Sequence, residues 1–192
     1  MSTRRNLFVF ISALVIVGVP SLYLLNRSGF DEDAFGVVLR TSARLALIIY
    51  LLIFSIRPLH QLVASTYSRT LLSNRRYIGV AFAGIMVAHL VFLLWFNGLV
   101  TPVPGMIIYA LLLSMLITSF DGPRAVLGPK RWKILHKTGL YALGFAFAQT
   151  VVGGLRESPG DPVYLALAAL FLLAIALRVG AFVKVRGLTQ RV

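Results

Sequence analysis

Six runs of apolar sequence, separated by short polar connections, set what this chain can fold into: Leu7 to Leu25, Val37 to Ile56, Tyr77 to Phe96, Met106 to Phe120, Leu135 to Leu155 and Val163 to Val179. A helix rises about 1.5 Å per residue and the hydrocarbon core of a bilayer is about 30 Å thick, so roughly 20 apolar residues make one span. Each run is read as long enough to cross, the fourth only just. Inside lipid every backbone N–H and C=O must find its partner within the segment, and helices satisfy that demand. The expectation is an all-α integral membrane protein, a six-transmembrane-helix bundle forming one membrane domain over residues 1–192.

Composition agrees with that class: 58% of residues are apolar, only 13% are charged, and the mean hydropathy is +0.86. At 192 residues the chain has no room for a soluble catalytic domain beside six spans, so its function is expected inside the bundle. Arg4 and Arg5 precede the first run in the manner of a secretory signal. That run is too long and lacks a small-x-small cleavage site, so it reads as a permanent helix.

The basic residues sort by side. Arg4, Arg5, Arg57, Arg69, Arg75, Arg76, Arg124, Lys130, Arg131, Lys133, Lys137, Arg178, Lys184, Arg186 and Arg191 fall on one side, which the positive-inside rule makes cytoplasmic. The other side carries Arg27, Arg40, Arg44 and Arg156, together with Asp31, Glu32, Asp33, Glu157 and Asp161. Both termini are then expected to be cytoplasmic. A net charge of +13 raises the question of nucleic acid. The basic residues are spread over every loop on their side without a patch interleaved by aromatics, so topology and anionic lipid headgroups account for them and no nucleic-acid partner is expected. The outer acidic cluster fits ordinary topology, with docking of a basic protein as the sharper alternative.

The absence of cysteine excludes disulfides, thiolate metal sites, iron–sulfur clusters and thiol catalysis within this chain. Redox chemistry therefore requires a bound cofactor. No glycine-rich phosphate fingerprint and no paired carboxylates occur within the runs, which argues against NAD binding and ATP hydrolysis. The connections carry turn chemistry at Asn26 to Gly29, at Asn97 to Gly105 with Pro102 and Pro104, at Asp121 to Pro129 and at Ser158 to Pro162.

The chain has three histidines, His60, His89 and His136, and an imidazole within a bilayer points to metal, proton or polar-network work. His89 stands in the apolar stretch Val87-Ala88-His89-Leu90-Val91, thirteen residues after Arg76, or about 20 Å of helical rise. That places it toward the outer half, whereas His136 lies near the cytoplasmic entrance of the fifth run. Two imidazoles at different depths are poorly placed to share one iron, so each needs another partner. His60 follows the second run, which is expected to end near Pro58, at about the depth of His136. A haem held by His60 and His136 is geometrically conceivable, and an interfacial polar role is the plainer reading of His60. For His136, flanked by Lys133 and Lys137, the plainer reading is a headgroup-facing side chain.

Several islands between about Arg40 and residue 155 resemble the ferric-reductase-like transmembrane domain family: Arg44 with the run ending in Arg57-Pro58-Leu59; Asn74-Arg75-Arg76-Tyr77-Ile78-Gly79 followed by Ala88-His89-Leu90; Thr118-Ser119; and Leu127-Gly128-Pro129-Lys130-Arg131-Trp132 leading to Leu135-His136 and Tyr141. Within that family the chain is most similar to the haem-binding membrane subunit of the bacterial periplasmic methionine-sulfoxide reductase system. The resemblance implies b-type haem held between the third and fifth runs, with His89 matching an outer ligand and His136 an inner one. It implies electrons arriving from quinol, from a flavoprotein or from a loosely bound FMN, a quinone or flavin site, a periplasmic reductase as partner, and residence in a bacterial inner membrane. Arg44 matches a family arginine suited to a haem propionate or a quinone carbonyl. Two departures break the family's ligand pairs: Gln149 stands where the partner of His89 is expected, and Arg75 where an inner ligand of the third run is expected. Glutamine is a poor iron ligand beside imidazole.

Arg40 and Arg44 share one face of the second run near its outer end, where Arg40 can snorkel to headgroups. Phe82, Phe92, Phe96, Tyr141, Phe145 and Phe147 are packing residues or pocket walls, and Trp95 and Trp132 read as interfacial anchors. Gly79, Gly84 and Gly144 either allow close helix approach or leave room for a flat macrocycle. Two further readings stay open. One is a haem-free family member acting as a membrane scaffold; the other is a small proton-coupled transporter, against which the lack of acidic residues in the runs argues.

Overall fold

The computed structural model describes residues 2–98 and 103–189; Met1, Pro102, Arg191 and Val192, which enter the turn and terminus expectations, lie outside the described residues. Seven helices and no strand occupy the described residues: α1 (Ser2–Arg27), α2 (Glu32–Leu62), α3 (Thr66–Asn97), α4 (Val103–Ile117), α5 (Asp121–Leu127), α6 (Pro129–Glu157) and α7 (Pro162–Thr189). Five of them are long and apolar enough to cross a membrane, or six if α4 and α5 count as one bent span. The chain is a multi-pass, all-helical membrane protein.

The fourth run departs from the expected straight span. Its helix α4 has 15 residues, about 22 Å of rise, and the axis then turns by 106° into α5. Local hydroxyls explain the stop. Thr118 Oγ1 donates to Ser114 O (2.7 Å) and Ser119 Oγ to Met115 O (2.8 Å), so side chains take up last-turn carbonyls. The carbonyls beyond are capped from other helices: Trp132 Nε1 donates to Thr118 O (3.0 Å) and Asn6 Nδ2 to Ser119 O (3.1 Å). With its C-terminal acceptors satisfied, the helix can end inside the fold.

Other boundaries follow their caps. Ala34 N donates to Asp31 Oδ1 (2.7 Å) at the start of α2, and Val163 N to Asp161 Oδ1 (2.8 Å) at the start of α7, where Pro162 takes the first helical position. At α3, Ser65 and Ser68 exchange bonds, Ser65 N to Ser68 Oγ (3.0 Å) and Ser68 N to Ser65 Oγ (3.1 Å), a reciprocal capping box. That box starts α3 eleven residues before the apolar run. The second helix was expected to end near Pro58; instead Pro58 lies inside α2, which continues to Leu62, because its last carbonyls are capped by Lys184 Nζ, at 3.2 Å from Gln61 O and 3.0 Å from Leu62 O.

The chain divides into two compact units, residues 1–47 with 77–143 and residues 48–76 with 144–192. In the first, Leu25, Ala34, Phe35, Val38 and Phe92 form a buried cluster, joined by the ring contacts of Phe35 with Phe30, Trp95 and Phe96. Hydrophobic driving force between helices vanishes in lipid, so close backbone approach matters there. Gly84 shows it: a Cβ at this position would stand 2.7 Å from Phe10 O and 3.1 Å from Ala13 Cβ, so α1 fills the space that a side chain would take. In the second unit Tyr50 is buried, packs on Phe54 and Phe147 (centroids 5.7 and 5.1 Å), and presents its hydroxyl to Gly144.

Candidate functional site: three tethered imidazoles

Each histidine is half-buried, and each is held by a hydroxyl from another part of the fold. His89, in the apolar part of α3, faces Ser42 of α2 with Nδ1 at 2.8 Å from Oγ. Ser42 is itself buried, and its Oγ also lies 2.7 Å from Val38 O and 3.1 Å from Leu39 O. A serine hydroxyl has one hydrogen. Given to the backbone carbonyl, it leaves the oxygen as acceptor, so the network assigns the proton of His89 to Nδ1 and the lone pair to Nε2. No hydrogen bond from a described residue reaches that Nε2. A metal-bound histidine is commonly prepared this way, with one nitrogen anchored and the other turned to the metal.

His60 shows the same arrangement within the second unit. Its Nδ1 lies 3.0 Å from Ser68 Oγ, and Ser68 Oγ is 2.9 Å from Val63 O and 3.0 Å from Ser65 O, so the hydroxyl hydrogen again goes to a backbone carbonyl. The same serine caps α3. This gives His60 a structural reason to exist that the sequence did not reveal: it braces the α2–α3 turn.

His136, in the first unit, is tethered by the opposite nitrogen. Its Nε2 lies 3.1 Å from Thr118 Oγ1, whose hydrogen is directed at Ser114 O, an arrangement suited to the tautomer with the proton on Nε2. The ring packs on Trp132 at 4.3 Å between centroids, and Arg124 covers the same indole at 4.8 Å. His136, Thr118, Trp132 and Asn6 thus form a polar corner that closes the end of α4. Trp132, expected as an interfacial anchor, is half-buried and works as a helix cap.

Arg44 is half-buried with its Nε shielded from water. Arg40 is exposed, and its guanidinium folds back over Gly36, with Nη1 3.2 Å from where a Cβ would stand there, one turn toward the start of α2. Gln149 is exposed on α6 and belongs to the second unit, whereas His89 belongs to the first. Arg75 is half-buried on α3. Among the described residues no three of His, Asp or Glu come together as ligands for a metal ion. Sequence reasoning missed Ser42, Ser68 and Asn6. The signal for Ser42 and Asn6 was a polar residue within or beside an apolar run; for Ser68 it was a serine three residues after Ser65, the spacing of a capping box.

Compared with known proteins, the chain matches no family model, no curated protein and no solved structure.

Proposed function

We propose that the protein is a b-type haem-binding electron carrier of a bacterial inner membrane, of the ferric-reductase-like kind, in which His89 would hold the haem iron. The observation that supports this reading is the Ser42–His89 pair, which presents the Nε2 lone pair of an intramembrane imidazole. When bound, haem would supply reversible one-electron chemistry at the iron. His89 would hold the iron through Nε2, Ser42 would keep the ring's tautomer and orientation, and Arg44, deeper in α2 than the snorkelling Arg40, is the cation suited to a propionate or a quinone oxygen. Gln149, exposed as it is, does not fit the role of second ligand. His136 would serve an inner haem only by releasing Thr118, because iron and a proton cannot share Nε2.

In this reading both termini are cytoplasmic, quinol or a flavin donor supplies electrons from within or below the membrane, and a periplasmic reductase receives them. The competing reading is a haem-free scaffold, supported by the loss of both family ligand pairs at Arg75 and Gln149 and by the structural work that His60 and His136 already do. The deciding experiment is the oxidised and dithionite-reduced visible spectrum of detergent-purified protein expressed with ample haem, for wild type, His89→Ala and His136→Ala. A reduced b-type band that disappears in His89→Ala supports the electron carrier; a colourless wild type sinks it and leaves the scaffold.

A further inference from the structure

The haem reading leaves one exposed surface of the first unit without a task. The turn between α1 and α2 and the end of α3 meet on the buried ring of Phe35, whose centroid stands 6.4 Å from that of Phe30, 6.0 Å from Trp95 and 5.3 Å from Phe96. Phe30 and Trp95 also meet each other at 5.4 Å. The three outer rings nevertheless stay open: Phe30 is 43% exposed, Trp95 54% and Phe96 40%. They form one aromatic platform seated on a buried base.

Interfacial anchoring accounts for a tryptophan in this place, but not for Phe30. Gly29 and Phe30 both have left-handed backbone, with φ of 71° and 59°, a region that suits glycine or asparagine and strains a bulky side chain. The turn itself is closed by backbone bonds, Ser28 N to Leu24 O and Phe30 N to Leu25 O, each 3.0 Å, and needs nothing from a phenyl group. What Phe30 contributes is a ring held beside Trp95 and left open.

Charge borders the platform on the side of α2. Phe35 follows Glu32 by three residues and Asp31 by four, so both acids share its helix face, and Asp33 adjoins them. Asp31 accepts the Ala34 N–H through Oδ1. Glu32 and Asp33 are exposed, and their carboxylates pair with no described residue, Arg27 and Arg40 included. Helix-dipole attraction favours acids in a first turn but leaves their outward oxygens free. Anionic headgroups are repelled by such a border. A cation suits both parts: aromatic faces attract lysine and arginine, and carboxylates pair with them. Open aromatic surface of this kind, edged by polar groups, is what protein partners dock on.

We infer that Phe30, Trp95 and Phe96, with Glu32 at their edge, form a docking surface for a lysine- or arginine-rich segment of a partner protein. The surface is independent of haem.

The test measures, by fluorescence anisotropy, binding of a rhodamine-labelled hexa-arginine peptide to the full-length protein in phosphatidylcholine nanodiscs, with hexa-serine as the neutral comparison. Wild type should bind hexa-arginine saturably and hexa-serine not at all; the net charge of +13 opposes adsorption of the basic peptide elsewhere. Glu32→Gln and Trp95→Leu should each weaken binding about tenfold. Glu157→Gln, which removes an exposed carboxylate at the end of α6, should leave it unchanged. Phe30→Asn should weaken binding about as much as Trp95→Leu, with a melting midpoint within about 3 °C of wild type, because asparagine accepts the left-handed backbone; a ring there only for packing would move the midpoint and spare the affinity. Should Trp95→Leu fail to fold, the exposed Glu32→Lys decides, and it should abolish binding. No saturable binding by wild type in nanodiscs overturns the surface, and binding that appears only in detergent shows that lipid covers the platform. Full affinity in Glu32→Gln or Trp95→Leu overturns it as well, as does an equal loss in Glu157→Gln.

Discussion

His89 and His136 lie in the same unit, each half-buried and each bonded to a hydroxyl whose own hydrogen goes to a backbone carbonyl, yet they are tied by opposite nitrogens. Ser42 takes the Nδ1 proton of His89 and leaves the Nε2 lone pair. Thr118 takes the Nε2 proton of His136 at a corner where the indole of Trp132 and the amide of Asn6 cap the end of α4. The first arrangement leaves a ring nitrogen without a hydrogen bond from a described residue, which the proposed function uses as a ligand; the second completes a helix terminus. The sequence set the two apart by depth alone. What separates them is which edge of the imidazole meets the neighbouring helix.

The largest effect that would break or sharpen this contrast is expected from His89→Ala: under the proposed haem reading it should remove the whole b-type band while the protein still purifies as a monodisperse species. Retention of the band would mean that the prepared nitrogen is not the one holding iron. Ser42→Ala comes next. The imidazole remains but its anchor is gone, and loss of an outer-shell partner typically weakens metal binding by about 10–100-fold. Haem titration of the apoprotein should show that weakening, with the melting temperature of the haem-free protein lowered by only a few degrees, since one hydrogen bond contributes about 1 kcal/mol. Equal haem affinity in Ser42→Ala and wild type would reduce the Ser42 bond to packing.

Thr118→Val tests the other side of the comparison. If His136 is structural, losing the Thr118 hydroxyl should destabilise the fold by about 1 kcal/mol and leave the haem spectrum unchanged. If His136 is an inner ligand, freeing its Nε2 should raise haem content instead. The two readings therefore move the same spectrum differently, and stoichiometry by pyridine haemochrome resolves them. In a double-mutant cycle with His136→Ala, the structural reading gives a coupling of about 0.6 kcal/mol, the typical worth of an interhelical side-chain bond in a membrane protein.

How much of this was legible follows from what each signal depends on. Apolar run length located five long helices but not their ends: the caps at Asp31, Ser65 and Asp161 lie outside the apolar runs, and the Ser65–Ser68 box starts α3 eleven residues before its run. Pro58 misled in the opposite direction: a proline near a helix end reads as a stop, but α2 continues to Leu62 since Lys184, more than a hundred residues away, satisfies its last carbonyls. The 106° break after α4 was hidden for the same reason. Thr118 and Ser119 can end a helix only if Trp132 and Asn6 reach their carbonyls, and neither partner is local. The three histidines were visible as chemistry; their hydroxyl partners were not, because which side chain a helix turns toward its neighbour depends on axial rotation, which a nearly uniform apolar run does not encode. Gly84 was visible as a point of close approach, but the approaching partner, α1, was not.

The smallest expected effect is that of Trp132→Phe, and it isolates what the corner around His136 is for. Phenylalanine keeps the ring beneath Arg124 and against His136 but removes the N–H that caps Thr118 O, so only the helix-terminus bond is lost. The stability change should be about 1 kcal/mol, a midpoint shift of about 2–4 °C for a chain of this size. If that small loss comes with no change in haem affinity, the corner is a device for ending α4 and His136 belongs to it. A larger loss, or any change in the visible spectrum, would mean that the indole positions His136 for a ligand, and the contrast with His89 would then be one of degree.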